Sequence, residues 1–176
     1  FHEREDVLKA EIPELNYIAM SELFGGPLIT EFSRSLTRLK VQQYQRFFSD
    51  ADRVLILLHN DPDPDALASG LALRTLLHRT RQTAIIGALH GVTRPENQRM
   101  MNLLDIHIEI IKPAQVAEFE RVAMVDVQPS FLEEEKHFGE VDLVIDPHPV
   151  EQPIRARIKD VRPSYGATST IMVEYL

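Results

Sequence analysis

Residues 54–70 read Val-Leu-Ile-Leu-Leu-His-Asn-Asp-Pro-Asp-Pro-Asp-Ala-Leu-Ala-Ser-Gly, an apolar run that turns abruptly polar. Five successive apolar residues are typical of a strand buried in a parallel sheet, and the polar residues then form a loop at its carboxyl end. Pro62 and Pro64 disfavour helix in this loop and favour extended backbone for the residues before them. Because side chains two apart in extended backbone share a face, we expect Asp63 and Asp65 to point together.

This acidic loop predicts a divalent metal site. It places His59 beside Asp61, Asp63 and Asp65. Three carboxylates this close repel one another and lose solvation unless a cation neutralises them. Imidazole and carboxylate groups are common ligands of divalent cations.

Composition limits the class of protein. The chain has 176 residues, enough for one sizeable core, with 44% hydrophobic and 26% charged residues, as in ordinary globular proteins. It has no cysteine, no apolar run of 18 residues and no signal-peptide pattern, so we expect a cytoplasmic protein without a membrane span. The formal charge of −8 argues against binding to duplex nucleic acid, because such binding needs many cations.

Strand and helix patterns alternate from residue 51 onward. Strands are predicted at 53–58, 83–89, 106–111, 121–126, 141–146 and 155–160. Helices are predicted at 65–79, 94–104, 113–119, 130–137 and 166–176. This alternation predicts an α/β fold in which a parallel sheet is flanked by helices on both faces, with ligands at the carboxyl ends of the strands.

The first fifty residues differ from the rest. Residues 1–30 are interpreted as a linker or as the tail of an upstream domain, and residues 31–48 as a helix that packs against the main domain. We expect the metal-binding domain to occupy residues 51–176, and the chain, which starts at Phe1 rather than Met, to be a fragment.

Two further strands run into polar residues. Asp126 follows the apolar stretch at residues 122–125, and its carboxylate either joins the acidic loop as a bridge between two metals or caps the next turn. The run at residues 141–149 contains Asp146 and His148. In a functional interpretation, His148 ligates a metal or contacts phosphate, and Asp146 orients neighbouring groups. In the structural alternative, the segment is a proline-flanked turn with a solvated histidine.

Two segments near the end of the chain allow both functional and structural interpretations. Arg155, Arg157 and Lys159 alternate with apolar residues, which predicts either a phosphate-attracting patch extended by Arg162 or a solvated edge strand. The small residues at 166–170 open a helix and either seat an anion or form an ordinary helix start.

Four blocks of the chain resemble, in order, the motifs of DHH-type (RecJ-like) phosphoesterases. They read His59-Asn60-Asp61-Pro62-Asp63-Pro64-Asp65-Ala66-Leu67-Ala68-Ser69, Val125-Asp126, Val144-Ile145-Asp146-Pro147-His148-Pro149 and Arg162-Pro163-Ser164-Tyr165-Gly166-Ala167-Thr168-Ser169-Thr170. The resemblance covers roughly residues 51–176 and is nearest to the subgroup that degrades short oligoribonucleotides and 3′-phosphoadenosine 5′-phosphate.

The resemblance implies a role for each matching residue. His59 and Asp63 would hold one Mn²⁺, Asp65 a second, and Asp126 would bridge the two. His148 would contact the scissile phosphate, with Asp126 and His148 as the catalytic residues. Arg162 and Ser169, which lie in the last block, would bind substrate.

Two departures from the family pattern stand out. The third motif of the family has two histidines, the first of which is a metal ligand, whereas Pro147 takes that place here. Family members also continue beyond the position of Leu176 to a further metal-binding aspartate and a substrate-binding domain. We therefore expect this polypeptide to be impaired by itself.

Three functions follow as hypotheses. The first is a manganese-dependent phosphoesterase that acts on short oligoribonucleotides, 3′-phosphoadenosine 5′-phosphate or cyclic dinucleotides by a two-metal mechanism. The others are a degenerate regulatory module that binds nucleotide or metal, and an inorganic pyrophosphatase or polyphosphatase. The expected partner is a small nucleotide or short single-stranded RNA, with no duplex nucleic acid and no membrane, and a homodimer stays open.

Overall fold

A computed structural model of the chain describes residues 25–133 and 138–176. Six parallel strands form one sheet in the order β3-β2-β1-β4-β5-β6. The strands are β1 (Val54–Leu57), β2 (Ala84–Ala88), β3 (Glu109–Ile110), β4 (Arg121–Val125), β5 (Val141–Asp146) and β6 (Ala156–Val161). Each of the six predicted strands is present, and the predicted α/β fold with a parallel sheet is confirmed.

The strand order reverses between β1 and β4. The chain builds β2 and β3 on one side of β1 and then returns to add β4, β5 and β6 on the other side. At such a switch point the loops after the two central strands diverge and leave a crevice in which ligands bind. Leu57 pairs with Met124 at the ends of β1 and β4, so the loops that follow them leave the sheet side by side.

Within the described ranges, four α-helices accompany the sheet: α1 (Pro27–Ser49), α2 (Pro64–Leu76), α3 (Pro95–Leu103) and α4 (Thr168–Tyr175). Proline begins three of them, where its missing N–H costs no hydrogen bond. The contacts of the chain fall into two units, residues 1–38 and 39–176. In the second unit the last part of α1 contributes Tyr44 and Phe48 to the core. None of the described helices is long and apolar enough to cross a bilayer.

Alternate strand residues supply two hydrophobic layers. Val54 and Ile56 face a layer that includes Leu67 of α2 and Met172 of α4. Leu55 and its alternating neighbours face the second layer, which is covered by short 3₁₀ helices and loops, with the buried side chains Val116, Val127, Leu132 and Phe138. Both faces of the sheet are therefore covered, one by α-helices and the other by less regular structure.

Two of the predicted helices, at residues 113–119 and 130–137, differ from the structure. The segment predicted as a helix at 113–119 forms a 3₁₀ helix, Pro113–Glu118, and a 3₁₀ turn, Pro129–Phe131, stands at the start of the one predicted at 130–137. Residues 134–137 of that helix, and the predicted linker up to residue 24, lie outside the described residues.

We expect Gly87→Ala to destabilise the sheet. A Cβ atom on Gly87 of β2 would lie 2.5 Å from Ile111 Cγ1 and 3.2 Å from the Glu109 carbonyl oxygen. Overpacking of this kind costs about 1–3 kcal/mol, which urea unfolding would measure. Gly166→Ala is the matched control, since no atom lies within 4 Å of its added Cβ, and equal unfolding midpoints for the two variants would contradict the expected clash.

Candidate metal centre

His59 leaves the end of β1 with one ring nitrogen engaged. Its Nδ1 lies 2.8 Å from the Asn60 carbonyl oxygen. Because a carbonyl oxygen only accepts, Nδ1 carries the proton of the neutral ring and the lone pair is on Nε2. That Nε2 atom lies 3.8 Å from Asp63 Oδ1 and 3.6 Å from Asp126 Oδ2, both beyond hydrogen-bond distance. Ligand atoms about 2.0–2.2 Å from one ion are separated by distances of this size.

Asp63 is held in place by the start of α2. Its backbone is extended (φ −87°, ψ 177°), and Oδ1 accepts a hydrogen bond of 3.0 Å from the Ala66 amide. Pro64 at the first helical position explains why the helix begins here. The carboxylate is therefore oriented before any ion binds, as a helix cap whose charge also faces His59.

Asp126 follows the end of β4 and has an unusual backbone. Its φ is +60°, in the left-handed region, and the residue is buried. Its Oδ1 accepts a 2.6 Å hydrogen bond from Thr168 Oγ1. Burial raises the pKa of this carboxyl, the Thr168 bond opposes the rise, and the charges of Asp65 and Asp63 add to it. A left-handed residue other than glycine is strained, and such strain clusters at functional sites.

A second group of metal-binding side chains shares Asp126. It consists of Asp126, Asp146 and His148, each offering a ligand atom within 4.8 Å of the others, as the group of His59, Asp63 and Asp126 also does. Asp146 is fully buried, and its Oδ1 accepts a 2.8 Å bond from His148 Nδ1. That hydrogen bond raises the pKa of His148 and leaves Nε2 as the free ring nitrogen. Carboxylates orient metal-binding histidines in this way.

Asp65 does not pair with Asp63 as expected. Helix α2 already begins at Pro64, so the backbone is not extended there. The Asp65 carboxylate instead caps α4, accepting bonds of 2.8 Å from the Thr168 amide and 2.9 Å from the Ser169 amide. The expected pairing was wrong because proline tolerates the first helical turn. The metal-binding role of Asp65 and the substrate-binding role of Ser169 stay predictions.

Arg162 lies among protein partners. Its guanidinium bonds to Asp160 (Nε to Oδ1, 2.9 Å), and its other two nitrogens contact Glu174, Tyr165 and Tyr175. The buried Asp160 also contacts Lys40 and Tyr44 on α1, each at 3.3 Å. Every guanidinium nitrogen of Arg162 therefore has a partner within the protein, and its substrate-binding role stays a prediction.

Two supporting residues were missed in the sequence. Thr168 reaches Asp126 from 42 positions away, a contact that sequence spacing does not reveal. The buried Gln128 donates from Nε2 to Asp146 Oδ2 at 2.7 Å and to the His148 carbonyl oxygen at 3.0 Å. Its position two residues after Asp126, in extended backbone, was the available signal.

Hydrogen bonds also join the acidic loop to the loop after β2. Asp61 has a φ of 52° and accepts bonds of 2.7 Å from the Thr93 amide and 2.9 Å from the Thr93 hydroxyl. These bonds lower the pKa of Asp61. Asp61 therefore joins the loop after β1 to the loop after β2, and neither group of metal-binding side chains includes it.

The donor set fits a divalent cation. Imidazole nitrogens and carboxylate oxygens are ligands that Mn²⁺ and Mg²⁺ accept, and the buried Asp126 carboxylate gains a counter-charge when an ion binds. Pro147 is buried in the segment after β5 and offers no side-chain ligand, so the second group relies on Asp146 and His148.

Comparison with known proteins gives limited matches. No family model matches the chain. An uncharacterized protein of Methanocaldococcus jannaschii is 34% identical over 123 residues, which is 70% of this chain and 25% of that protein. The chain thus spans about a quarter of that relative.

Among solved structures, an exopolyphosphatase-related protein from Bacteroides fragilis is similar with a TM-score of 0.55 and 17% identity. The match covers 75% of this chain and 41% of that chain. This likeness shows the fold, so the molecule is a parallel α/β domain with an acidic crevice at its switch point.

Proposed function

We propose that the chain is the metal-binding part of a manganese-dependent phosphoesterase of the DHH type. The observation that carries the proposal is the sharing of Asp126 between two groups of potential metal ligands at the switch point. A carboxylate between two cation sites is the arrangement that two-metal phosphoryl chemistry uses. The similarity to an exopolyphosphatase-related fold supports phosphate chemistry as the general class.

Each side chain has a distinct task in this proposal. His59 and Asp63 would hold one cation, Asp146 would face a second, and Asp126 would lie between them. Bound cations would withdraw charge from the phosphoryl oxygens and make water a nucleophile at neutral pH. His148, whose pKa Asp146 raises, keeps a larger protonated fraction and so can donate a hydrogen bond to a phosphoryl oxygen.

Small nucleotidic molecules are the proposed substrates. The block at residues 162–170 resembles the subgroup that acts on short oligoribonucleotides, 3′-phosphoadenosine 5′-phosphate or cyclic dinucleotides. The formal charge of −8 disfavours long polyanionic duplexes, because each phosphate contact needs a cation. Short substrates need only the charge that bound metal ions and His148 provide.

Calorimetric titration with Mn²⁺ tests the proposal directly. We expect Asp63→Asn to lower Mn²⁺ affinity about tenfold while leaving α2 intact, because asparagine caps a helix as well as aspartate does. Asp105→Asn is the matched control, since Asp105 is exposed and bonded to Arg81. If the parent and Asp63→Asn bind Mn²⁺ equally, the assignment of the site fails.

A regulatory module is the second candidate, favoured by the buried Pro147. A module of this kind would bind a nucleotide or one metal without turnover. On this reading, Pro147→His would create Mn²⁺-dependent hydrolysis of a short oligoribonucleotide where the parent has none. Robust activity in the parent that the substitution leaves unchanged would exclude this candidate.

Hydrolysis of inorganic pyrophosphate or polyphosphate is the third candidate. It is favoured by the name of the structural neighbour, an exopolyphosphatase-related protein. Phosphate release from pyrophosphate, polyphosphate and a dinucleotide, compared in one assay, separates it from the nucleotidic proposal.

A further inference from the structure

A second concave site lies near β3, at the edge of the sheet. Helix α3 lines it with Gln98, Met101 and Asn102, which share one helix face at positions i, i+3 and i+4. Ile108 and Ile110 also line it and are two residues apart, so they share one side of the extended chain. The cavity measures about 390 Å³, within the usual range for small-molecule sites.

The walls of this cavity combine apolar surface with two amides. Met101 and the two isoleucines offer a thioether and branched aliphatic groups. The Gln98 Nε2 atom donates a 2.8 Å bond to the Val92 carbonyl oxygen, which fixes the orientation of the amide, and Asn102 brings a donor and an acceptor of its own. A planar heteroaromatic ring packs its faces on apolar groups and bonds to amides along its edge. The chemistry of the walls therefore suits a nucleobase.

The cavity is connected to the acidic loop through the loop after β2. Val92 borders the cavity, and the next residue, Thr93, holds Asp61 through its amide and hydroxyl. Arg94 follows, with Nε 3.4 Å from Asp61 Oδ2 and a side chain that is more than half exposed. Arg94 thus brings a cation to the acidic loop, two residues along the chain from the cavity wall at Val92.

The spacing of these features matches a nucleotide. Strand β2 separates β3 from β1, and two inter-strand spacings amount to about 10 Å. A base held beside β3, with its sugar and phosphate oriented toward β1, would bring the phosphate near Arg94 and the acidic loop. One or two nucleotides bridge a distance of this size.

We propose that this cavity binds the base of a nucleotidic substrate and that Arg94 contacts its phosphate. The inference rests on the proposed function and deepens it by assigning the feature that would distinguish nucleotides from other phosphates. AMP and ribose 5-phosphate are suitable probes, because they share sugar and phosphate and differ only in the base.

Binding of the two probes, measured by calorimetry, tests the inference on the full chain. We expect the parent to bind AMP about tenfold more tightly than ribose 5-phosphate, since the base adds apolar contact and hydrogen bonds. Asn102→Trp fills the cavity and should reduce AMP binding to the level of ribose 5-phosphate. Leu103→Trp is the matched control: Leu103 is 83% exposed, does not line the cavity, and should leave both affinities unchanged.

Arg94→Gln tests the phosphate contact independently of the base contact, because it should weaken the binding of both probes by the same factor. Methyl NMR adds a second readout: AMP should shift the Met101 signal and leave that of the fully buried Met124 in place. Equal affinity of the parent for both probes, or AMP binding unchanged in Asn102→Trp, would overturn the inference. If either result came with Mn²⁺-dependent ester hydrolysis, only the base site would fall. Base-dependent binding in a chain whose Mn²⁺ affinity is unchanged by Asp63→Asn would support the site and count against the proposed function.

Discussion

Asp126→Asn is expected to remove Mn²⁺ binding and raise the melting temperature of the metal-free protein. Asp126 belongs to both groups of metal-binding side chains, so removal of its charge weakens cation binding by both groups. We expect affinity to fall at least about a hundredfold, the upper end of the loss seen when only a supporting side chain is removed. The stability of the metal-free protein should instead increase, because burial and neighbouring carboxylates disfavour the charged form of Asp126.

Asparagine suits this position because it tolerates the backbone conformation of Asp126. Asparagine adopts the left-handed region that the φ of +60° requires, and its carbonyl oxygen still accepts the hydrogen bond from Thr168. Calorimetry with Mn²⁺ and thermal unfolding in chelator measure the two effects on the same preparation. Lower stability together with unchanged metal affinity would mean that Asp126 is a structural residue.

Asp160→Asn is expected to cost about 3–5 kcal/mol of folding free energy, the usual result of breaking a buried ion pair. Asp160 is 5% exposed and bonds to Arg162, Tyr175, Lys40 and Tyr44. Removal of its charge leaves the Arg162 guanidinium without its principal partner. Asp105→Asn is the matched control, because the same substitution there breaks an exposed pair with Arg81, and such pairs contribute little.

The folding free energy lost in Asp160→Asn should become smaller as the pH falls. Burial raises the pKa of Asp160, but hydrogen bonds from Arg162 and Tyr175 outweigh it, so the pKa lies below the ordinary 3.8. An acid with a lowered pKa stabilises the folded state fully above its unfolded value, and that stabilisation is lost as pH falls. The parent and the variant should therefore differ most at neutral pH and converge in acid. A constant difference down to strongly acidic pH would contradict the ionic origin of the effect.

The sheet could be predicted because its strands are apolar runs bounded by polar turns. Buried parallel strands give the strongest local signal in an α/β chain, and the six runs of this chain all form strands. The segment at 113–119 was harder, because six residues beginning with Pro113 do not distinguish an α-helix from a 3₁₀ helix. The layer that covers the second face consists largely of such short pieces.

The candidate site was predictable where it depends on strand ends. His59, Asp126 and His148 follow the ends of β1, β4 and β5, and parallel strands bring such residues to one edge. Asp65 shows the limit of that reasoning. Its partners, the amides of Thr168 and Ser169, lie more than 100 positions away, and only tertiary packing brings them near.

The capping of α4 by Asp65 has a consequence for biosynthesis. The acidic loop leaves the ribosome about a hundred residues before the helix that anchors it, an interval of several seconds at usual translation speeds. Until that helix docks, Asp65 lacks the amides of Thr168 and Ser169, and Asp126 lacks the hydrogen bond from the Thr168 hydroxyl. Asp126 therefore reaches its full set of contacts only after α4 has docked, which makes metal acquisition a late step in the folding of this domain.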